Sequence, residues 1–217
     1  MPRPTDHNGE KRWPVSLVLV CTALLQTSLP DQYTLGGRFL GPAIELFLVV
    51  VITVLNPSYI LKHTSQLRNL ALLIATVISL FNIFAVAKMI TDLATGNWTR
   101  GAPSLLLTGV SVWLINVIAT SLWYWEYDLG GPALRAHSTE QHPSFMFPQM
   151  ENPKFAEPNW RPTFFDYFYL SFTNASAFSP TDVLPLKKWA KSLMMVQSLV
   201  SLTTLALVIA RAINTLQ

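Results

Sequence analysis

Residues 163–216 constrain the fold of this 217-residue chain more than any other stretch. The stretch begins with an aromatic run, residues 163–172, which is about half as long as the roughly 20 residues that a helix needs to cross a bilayer core. A polar segment broken by prolines follows, and then come a basic cluster and one long apolar run. A short helix, an irregular segment and a full span, in that order, are typical of a pore loop. We therefore expect the aromatic run to enter a membrane without crossing it, and the long apolar run to cross it.

The same stretch resembles the pore region of two-transmembrane potassium channels. In that family a pore helix ending in Ser-Phe-Thr-Thr leads into Thr-Val-Gly-Tyr-Gly-Asp, two apolar residues, a proline and an inner helix. Ser171, Phe172 and Thr173 match the end of the pore helix, Asp182 matches the acid after the filter, and Pro185 keeps its spacing. Counting the preceding span, the resemblance covers about half of the chain, and it implies a pore-domain fold and a tetramer.

The filter itself differs from that of the family. Ala177, Phe178, Ser179, Pro180 and Thr181 stand where the family has Thr, Val, Gly, Tyr and Gly. A ring of backbone carbonyls requires residues that tolerate unusual backbone angles, as glycine does. Proline instead fixes its own φ and favours extended geometry in the residue before it. We therefore expect a degenerate selectivity filter that is not potassium-type and is poorly selective or favours cations.

Composition places the chain among integral membrane proteins. Hydrophobic residues make up 51% of it and charged residues 12%, whereas soluble domains carry about 25% charged residues. The sequence predicts an all-α integral membrane fold with about five transmembrane helices and a re-entrant pore helix and loop before the last helix. The predicted spans cover about residues 13–29, 39–55, 70–91, 103–124 and 189–213.

These segments divide the chain into three parts. They are a polar N-terminal tail at residues 1–12, a three-span helical bundle at 13–101 and a pore-domain-like unit at 102–217. The unit contains a span, a proline-rich connector at 126–162, the re-entrant segment at 163–183 and the last span at 189–213.

The distribution of lysine and arginine predicts the orientation. With five spans, one side of the membrane carries all of the 15 lysines and arginines except Arg38, Lys88, Arg100 and Arg211. Because short loops rich in these residues stay cytoplasmic, we expect a cytoplasmic N-terminus and a re-entrant segment on the cytoplasmic side, in a bacterial inner (plasma) membrane. Potassium channels present this segment to the outside, so the charge rule and the resemblance disagree on this point.

The densest polar set near the membrane is the predicted constriction. Non-helical backbone at membrane depth is tolerated only where protein or a water-filled cavity surrounds it. In a symmetric oligomer a ring of Asp182 carboxylates would favour cations. The alternative is an interfacial loop in which Asp182 caps the last helix or pairs with Lys187 or Lys188. The constriction residues are Asn174, Ser176, Phe178, Ser179, Pro180, Thr181 and Asp182.

Two further sets of polar residues lie inside the predicted spans. Gln197, Ser201 and Thr204 share one helical face by their spacing, and this face either lines a conduit or forms interhelical hydrogen bonds. Glu45 and Lys88 lie at similar depths near the shared end of the second and third spans. Since a charge inside lipid is costly, we expect them to form an intramembrane pair, which serves either as a proton or coupling site or as a structural pair with Lys88 reaching for water.

Catalysis and cofactors find no support in the sequence. No nucleophile elbow, phosphate-binding glycine loop or zinc helix motif occurs. Cys21 is the one cysteine, and His137 and His142 are too few to make a metal site. The basic residues lie in loops beside spans, which argues against nucleic acid. We predict no enzymatic activity, no metal and no cofactor.

The functional expectation is a membrane protein similar to an ion channel, with a constriction that is not potassium-type. Its predicted partners are membrane lipids, further copies of the chain (a tetramer by resemblance) and inorganic ions. One alternative is a non-conducting structural or regulatory membrane protein that shares the pore-domain fold. Another is a small proton-coupled transporter that uses Glu45 and Lys88.

Overall fold

The computed structural model describes residues 9–55, 59–60, 65–98, 101–137, 142–158, 160–176 and 182–216. Within these residues the chain is mainly helical, with four strands of two residues each. The helices are α1 (Trp13–Ser28), α2 (Leu40–Leu55), α3 (Ser65–Ala94), α4 (Ala102–Tyr127), α5 (Pro132–His137), α6 (Pro148–Glu151), α7 (Phe164–Ser176) and α8 (Lys188–Leu216). The strands are β1 (Glu10–Lys11), β2 (Tyr59–Ile60), β3 (Phe145–Met146) and β4 (Leu184–Pro185), which pair as β1 with β2 and β3 with β4, both antiparallel.

Each of the five predicted spans coincides with a helix, and three of these helices are long and apolar enough to cross a membrane. These three are α3, α4 and α8. The other two, α1 and α2, have 16 residues each, somewhat fewer than the roughly 20 that reach across a bilayer core. The structure therefore confirms an all-α fold that is compatible with an integral membrane protein.

Helix α4 is the centre of the bundle and packs against α1, α3, α7 and α8. In the most apolar window of α4, 72% of the residues are buried, compared with 33% in α3 and 22% in α8. A helix that is apolar on all sides is suited to such a central position. Most of the apolar surface of α8, by contrast, is not covered by other parts of the chain.

Helices α4 and α8 run antiparallel. At one end the ring of Tyr127 lies 5.4 Å from the ring of Trp189, and towards the other end Val208 packs on Gly109. The approach at Gly109 is so close that a β-carbon there would lie 2.7 Å from Cγ2 of Val208. Glycine at this position allows the two helix backbones to come together, as small residues do between membrane helices.

Helix α7 corresponds to the aromatic run and lies against the second half of α4, also antiparallel. Near its start, Tyr167 donates a hydrogen bond to Asp128, just beyond the end of α4. Near its end, the indole N–H of Trp113 donates to the carbonyl oxygen of Ala175 at 3.4 Å. Because Trp113 lies near the middle of α4, α7 ends about half way along the central helix.

After α7 the chain returns to the end of α4 at which α7 began. Strand β4 pairs with β3, with Phe145 opposite Pro185. The ring of Phe145 lies 4.9 Å from that of Tyr124 and 5.6 Å from that of Trp189. The start of α7 and the start of α8 are therefore both at the same end of α4.

The proline-rich connector packs over this end of the bundle and forms a cap there. Phe145 and Phe147 are buried, and their rings pack against Tyr167 at 6.3 and 5.3 Å. Trp160 packs on Phe147 in turn. These aromatic contacts fix the place where α7 enters the bundle.

The close contact between α4 and α8 predicts the effect of one added methyl group. Gly109→Ala should lower the free energy of unfolding by about 1–3 kcal/mol, the usual cost of overpacking, because Val208 is stiff at χ1 and has little room to move. Without a clash the same change would be stabilising, since alanine favours helices more than glycine does. Denaturant titration of the purified protein, followed by tryptophan fluorescence, measures the difference.

A double-mutant cycle with Val208→Ala is the control for this prediction. Shortening Val208 should remove most of the penalty of Gly109→Ala, so that the two effects are not additive. An equal loss of stability in both backgrounds would contradict the contact.

Candidate functional site

A polar network lies in the middle of the bundle, between α4, α7 and α8, and Gln197 is at its centre. The side-chain carbonyl of Gln197 accepts hydrogen bonds from the hydroxyl of Tyr124 and the amide of Asn174, both at 2.8 Å. Its amide nitrogen donates to the carbonyl oxygen and the hydroxyl of Ser171, at 3.0 and 2.7 Å. Gln197, Tyr124 and Ser171 are all buried. One side chain of α8 therefore joins all three helices.

Further hydrogen bonds extend this network to the helix backbones. The hydroxyl of Ser171 donates to the carbonyl oxygen of Val117, and the amide of Asn174 also donates to that of Met194. In an apolar surrounding, a buried polar group that loses its partner costs about 1–3 kcal/mol. The network thus holds α7 in a fixed position at this depth.

The three residues predicted to line a conduit all face the inside of the bundle. Gln197 is 2% exposed, and Ser201 and Thr204 are 1% exposed. The hydroxyl of Ser201 lies 3.1 Å from the amide of Asn116, on α4. Gln197 and Ser201 thus make the interhelical hydrogen bonds of the packing alternative, whereas the hydroxyl of Thr204 has no hydrogen-bond partner among the described residues.

The open face of α8 carries apolar side chains instead. Met195, Leu199, Leu202, Ile209 and Ile213 follow one another at intervals of three, four or seven residues along the helix and are each more than half exposed. This spacing puts them on one continuous stripe, which we call the apolar stripe of α8. Within one chain, this stripe has no helix packed over it among the described residues.

The predicted constriction is described in part. Asn174 belongs to the polar network, Ser176 donates a hydrogen bond to the carbonyl oxygen of Thr173, and Asp182 is exposed. The predictions for Phe178, Ser179, Pro180 and Thr181 concern residues outside those that the structure describes.

The predicted pair of Glu45 and Lys88 does not form, and this prediction is wrong. The ammonium of Lys88 lies 2.5 Å from Asp92, one turn further along α3, and the buried carboxylate of Asp92 also accepts a hydrogen bond from Tyr33 at 3.0 Å. Side chains four residues apart on a helix are neighbours, so Asp92 is within easy reach of Lys88. Glu45 is completely buried, and its carboxyl oxygens have no hydrogen-bond partner among the described residues.

A second candidate site lies at the capped end of the bundle, and Arg135 organises it. Its guanidinium donates to the carbonyl oxygens of Trp125 and Asp128, at 2.8 and 2.9 Å. It also lies 3.6 Å from the carboxylate of Glu10 and 4.9 Å above the ring of Tyr167. Arg135 thereby satisfies the last carbonyls of α4, which a helix leaves without partners.

Glu10 and Asp128 link this end to the rest of the chain. Glu10 accepts hydrogen bonds from the indole of Trp125, at 2.9 Å, and from the backbone N–H of Phe164. Asp128 accepts from the backbone N–H of Ser144, at 2.5 Å, and from Tyr167, at 2.7 Å. Two carboxylates therefore fix the start of α7 against the end of α4.

A left-handed turn brings these groups together. Leu129, Gly130 and Gly131 follow α4 with φ values of 53°, 80° and 93°. A β-carbon at Gly131 would lie 3.2 Å from the backbone and carboxylate oxygens of Glu126. Glycine relieves both the backbone strain and this close approach, so that Arg135 folds back over the end of α4.

Beside this turn, between α1, α2, α3 and α4, lies a cavity of about 60 Å³. Its walls are mainly apolar side chains, and its charged groups are Arg12, Arg68 and Glu126. Arg12 is 8% exposed and donates a hydrogen bond to the carbonyl oxygen of Ile52. Burial lowers the pKa of Arg12, and the carboxylate of Glu126 opposes this effect.

Sequence reasoning missed this end of the bundle altogether. Glu126, Asp128 and Arg135 lie just beyond the predicted fourth span, where charged residues are usually ordinary interfacial groups. The consecutive glycines after Asp128 were a signal for a tight turn that folds the chain back. The hydrogen bond between Glu10 and Trp125 joins residues that are far apart in sequence, so no local sequence pattern indicates it.

Among the described residues, no group of three or more His, Cys, Asp or Glu side chains is arranged to hold a metal ion. Comparison with protein-family models, with curated proteins and with solved structures finds no match. The geometry of the bundle is therefore the basis for any functional proposal.

The polar network predicts a large effect of Gln197→Leu. The change removes the hydrogen-bond partner of the buried Tyr124 hydroxyl and one partner each of Ser171 and Asn174, and we expect the free energy of unfolding to fall by about 1–3 kcal/mol. Denaturant titration in detergent measures the loss. Gln66→Leu makes the same chemical change at an exposed position of α3 and should leave stability nearly unchanged. Equal effects of the two variants would show that the network is not stabilising.

Glu10 predicts a pH dependence of stability. Burial raises the pKa of Glu10 above its ordinary value of 4.5, although Arg135 and the hydrogen bonds from Trp125 and Phe164 oppose the rise. The folded protein therefore holds this proton to a higher pH than the unfolded chain does, and the Glu10 contribution to stability falls as the pH rises above 4.5.

Glu10→Gln removes this titration. The difference in unfolding free energy between the native protein and the variant, measured at several pH values, should change in favour of the variant as the pH rises above 4.5. A difference that is independent of pH, or that changes in the opposite direction, would contradict the shifted pKa.

Proposed function

We propose that this chain is a membrane protein similar to an ion channel, in which α4, α7 and α8 form a pore-domain-like unit. In this proposal α7 is a re-entrant helix, several copies of the chain surround a common axis, and ions pass a constriction near residues 174–182. The constriction is not potassium-type and favours cations. The resemblance to potassium-channel pore regions suggests a tetramer.

The position of α7 is the observation that carries the proposal. The helix ends half way along α4, as the contact between Trp113 and Ala175 indicates, and by Leu184 the chain is back at the end of α4 where α7 began. A helix end at membrane depth leaves backbone carbonyls without partners, which lipid does not satisfy. Protein or water must lie next to this end, and a water-filled axis supplies it.

The direction of α7 supports a preference for cations. Its C-terminal end, at Ser176, is the end that points into the bundle. The C-terminus of a helix carries a partial charge equivalent to about half an elementary negative charge. An exposed Asp182 on each subunit would add carboxylates near the same path.

The apolar stripe of α8 suggests how such a path would be closed. If the open face of α8 borders the axis of an oligomer, Leu199 and Leu202 form hydrophobic rings there. A narrow hydrophobic ring expels water and stops ion flow without any blocking group. The proposed channel is therefore closed until the α8 helices move apart.

One observation favours a second candidate, a non-conducting structural or regulatory protein with the same fold. The polar side chains of α8, Gln197 and Ser201, are already hydrogen-bonded within the chain, so an oligomer could be held together by the apolar stripe without a conduit. The transporter alternative relied on the pair of Glu45 and Lys88, which is absent.

Ion flux into liposomes that contain the purified protein tests the proposal. Leu199→Ser places a polar group on the apolar stripe and should increase cation flux at least several-fold, because water enters a polar ring more easily than an apolar one. Leu107→Ser is the matched control on α4, since Leu107 and Leu199 are 61% and 66% exposed. It should leave the flux unchanged.

Native mass spectrometry of the same samples supplies the oligomeric state. A homo-oligomer together with flux that responds to Leu199→Ser supports the channel. An oligomer in which neither the native protein nor Leu199→Ser conducts supports the non-conducting candidate. A monomer contradicts the channel and favours the non-conducting candidate, because one copy does not surround an axis.

A further inference from the structure

We propose that the cavity between α1, α2, α3 and α4 binds an anionic amphiphile, a membrane lipid or fatty acid whose head group is a phosphate or a carboxylate. The cavity lies at the capped end of the bundle and is separate from the polar network. This inference does not depend on ion conduction.

Two arginines supply donors for the head group. Arg12 and Arg68 both line the cavity, and the Nε atom of each is buried without a hydrogen-bond partner among the described residues. A buried donor on a charged group is costly when it has no acceptor. Carboxylate and phosphate oxygens are the acceptors that guanidinium groups bind most strongly.

The net charge of the cavity lining is balanced by one anionic group. Arg12 and Arg68 face a single acidic side chain in the lining, that of Glu126. Arg135 and Glu10 lie behind this lining and neutralise each other at 3.6 Å. The lining therefore has an excess of one positive charge when all of its groups are ionised.

The walls of the cavity favour an amphiphile over a free inorganic anion. They are formed largely by apolar side chains from all four helices, among them Leu19, Val49, Ile74 and Leu122. Such walls provide no replacement for the hydration shell of a free ion, but they stabilise the methylene groups that follow a lipid head group.

The size and place of the cavity agree with this ligand. A volume of 60 Å³ holds about four to six water-sized groups, at roughly 10–15 Å³ each. It accommodates an oxyanion and the first carbons of a chain, with the rest of the chain outside. Arg12 precedes the first residue of α1 and Glu126 is next to the last residue of α4, so the cavity is at a helix end, where basic pockets bind lipid head groups.

Thermal unfolding in a neutral detergent tests the proposal with defined probes. Phosphatidylglycerol should raise the Tm of the native protein, whereas phosphatidylcholine with the same acyl chains, and inorganic phosphate at the same concentration, should not. Equal effects of the two lipids would overturn the anionic head group. An equal effect of inorganic phosphate would overturn the amphiphile and indicate a site for small anions.

Single arginine substitutions test whether the lipid binds in this cavity. Arg68→Gln should weaken the binding of phosphatidylglycerol, measured by native mass spectrometry, about tenfold, as expected for one lost charged hydrogen bond. Arg38→Gln is the matched control: it removes the same charge from the loop before α2, where Arg38 pairs with exposed Asp31 at 3.2 Å. Equal affinities of the two variants would overturn the site.

A second substitution tests the cavity without changing a charge. Ala71→Phe fills the apolar part of the cavity and should abolish the Tm increase from phosphatidylglycerol. Ala206→Phe, at an exposed position of α8, should keep it. Should Arg68→Gln fail to fold, this pair of variants decides: an undiminished lipid effect in Ala71→Phe would overturn the proposal.

Discussion

The hydrogen bonds of Gln197 are the interaction on which the rest of the structure depends. They join α7 to both α4 and α8 at a depth where water is excluded by the surrounding helices. Hydrophobic burial alone would not fix α7 along its axis, because aromatic side chains pack well at many positions. The amide and hydroxyl partners have one arrangement that satisfies all of them, and this arrangement sets how far α7 enters the bundle.

The capped end of the bundle supports this arrangement from outside. Arg135 satisfies the end of α4, while Glu10 and Asp128 attach the start of α7 to the same place. Helix α7 is thus fixed at its entrance by charged groups and inside the bundle by neutral polar ones. This division is physically reasonable, because charged groups are far less costly near the membrane surface than at its centre.

The sequence predicted the helices well, because apolar runs and a short aromatic run are local features. It also predicted that Gln197, Ser201 and Thr204 share one face, but left open whether that face lines a conduit or packs. Lys88 was assigned the wrong partner, although Asp92 lies four residues away on the same helix. The charged end and its cavity escaped prediction, because contacts such as Glu10 with Trp125 depend on tertiary structure.

The depth of α7 in a bilayer tests the central claim most directly. Spin labels placed singly at Phe165, Tyr169, Phe172 and Ser176, in protein reconstituted into liposomes, report depth through their accessibility to oxygen and to a water-soluble relaxing agent. An inserted α7 predicts that positions differ in depth by up to about 16 Å, at roughly 1.5 Å per residue, and that the label at 176 is deep yet still reached by the water-soluble agent. Equal depth at the head groups for all four labels would contradict the account.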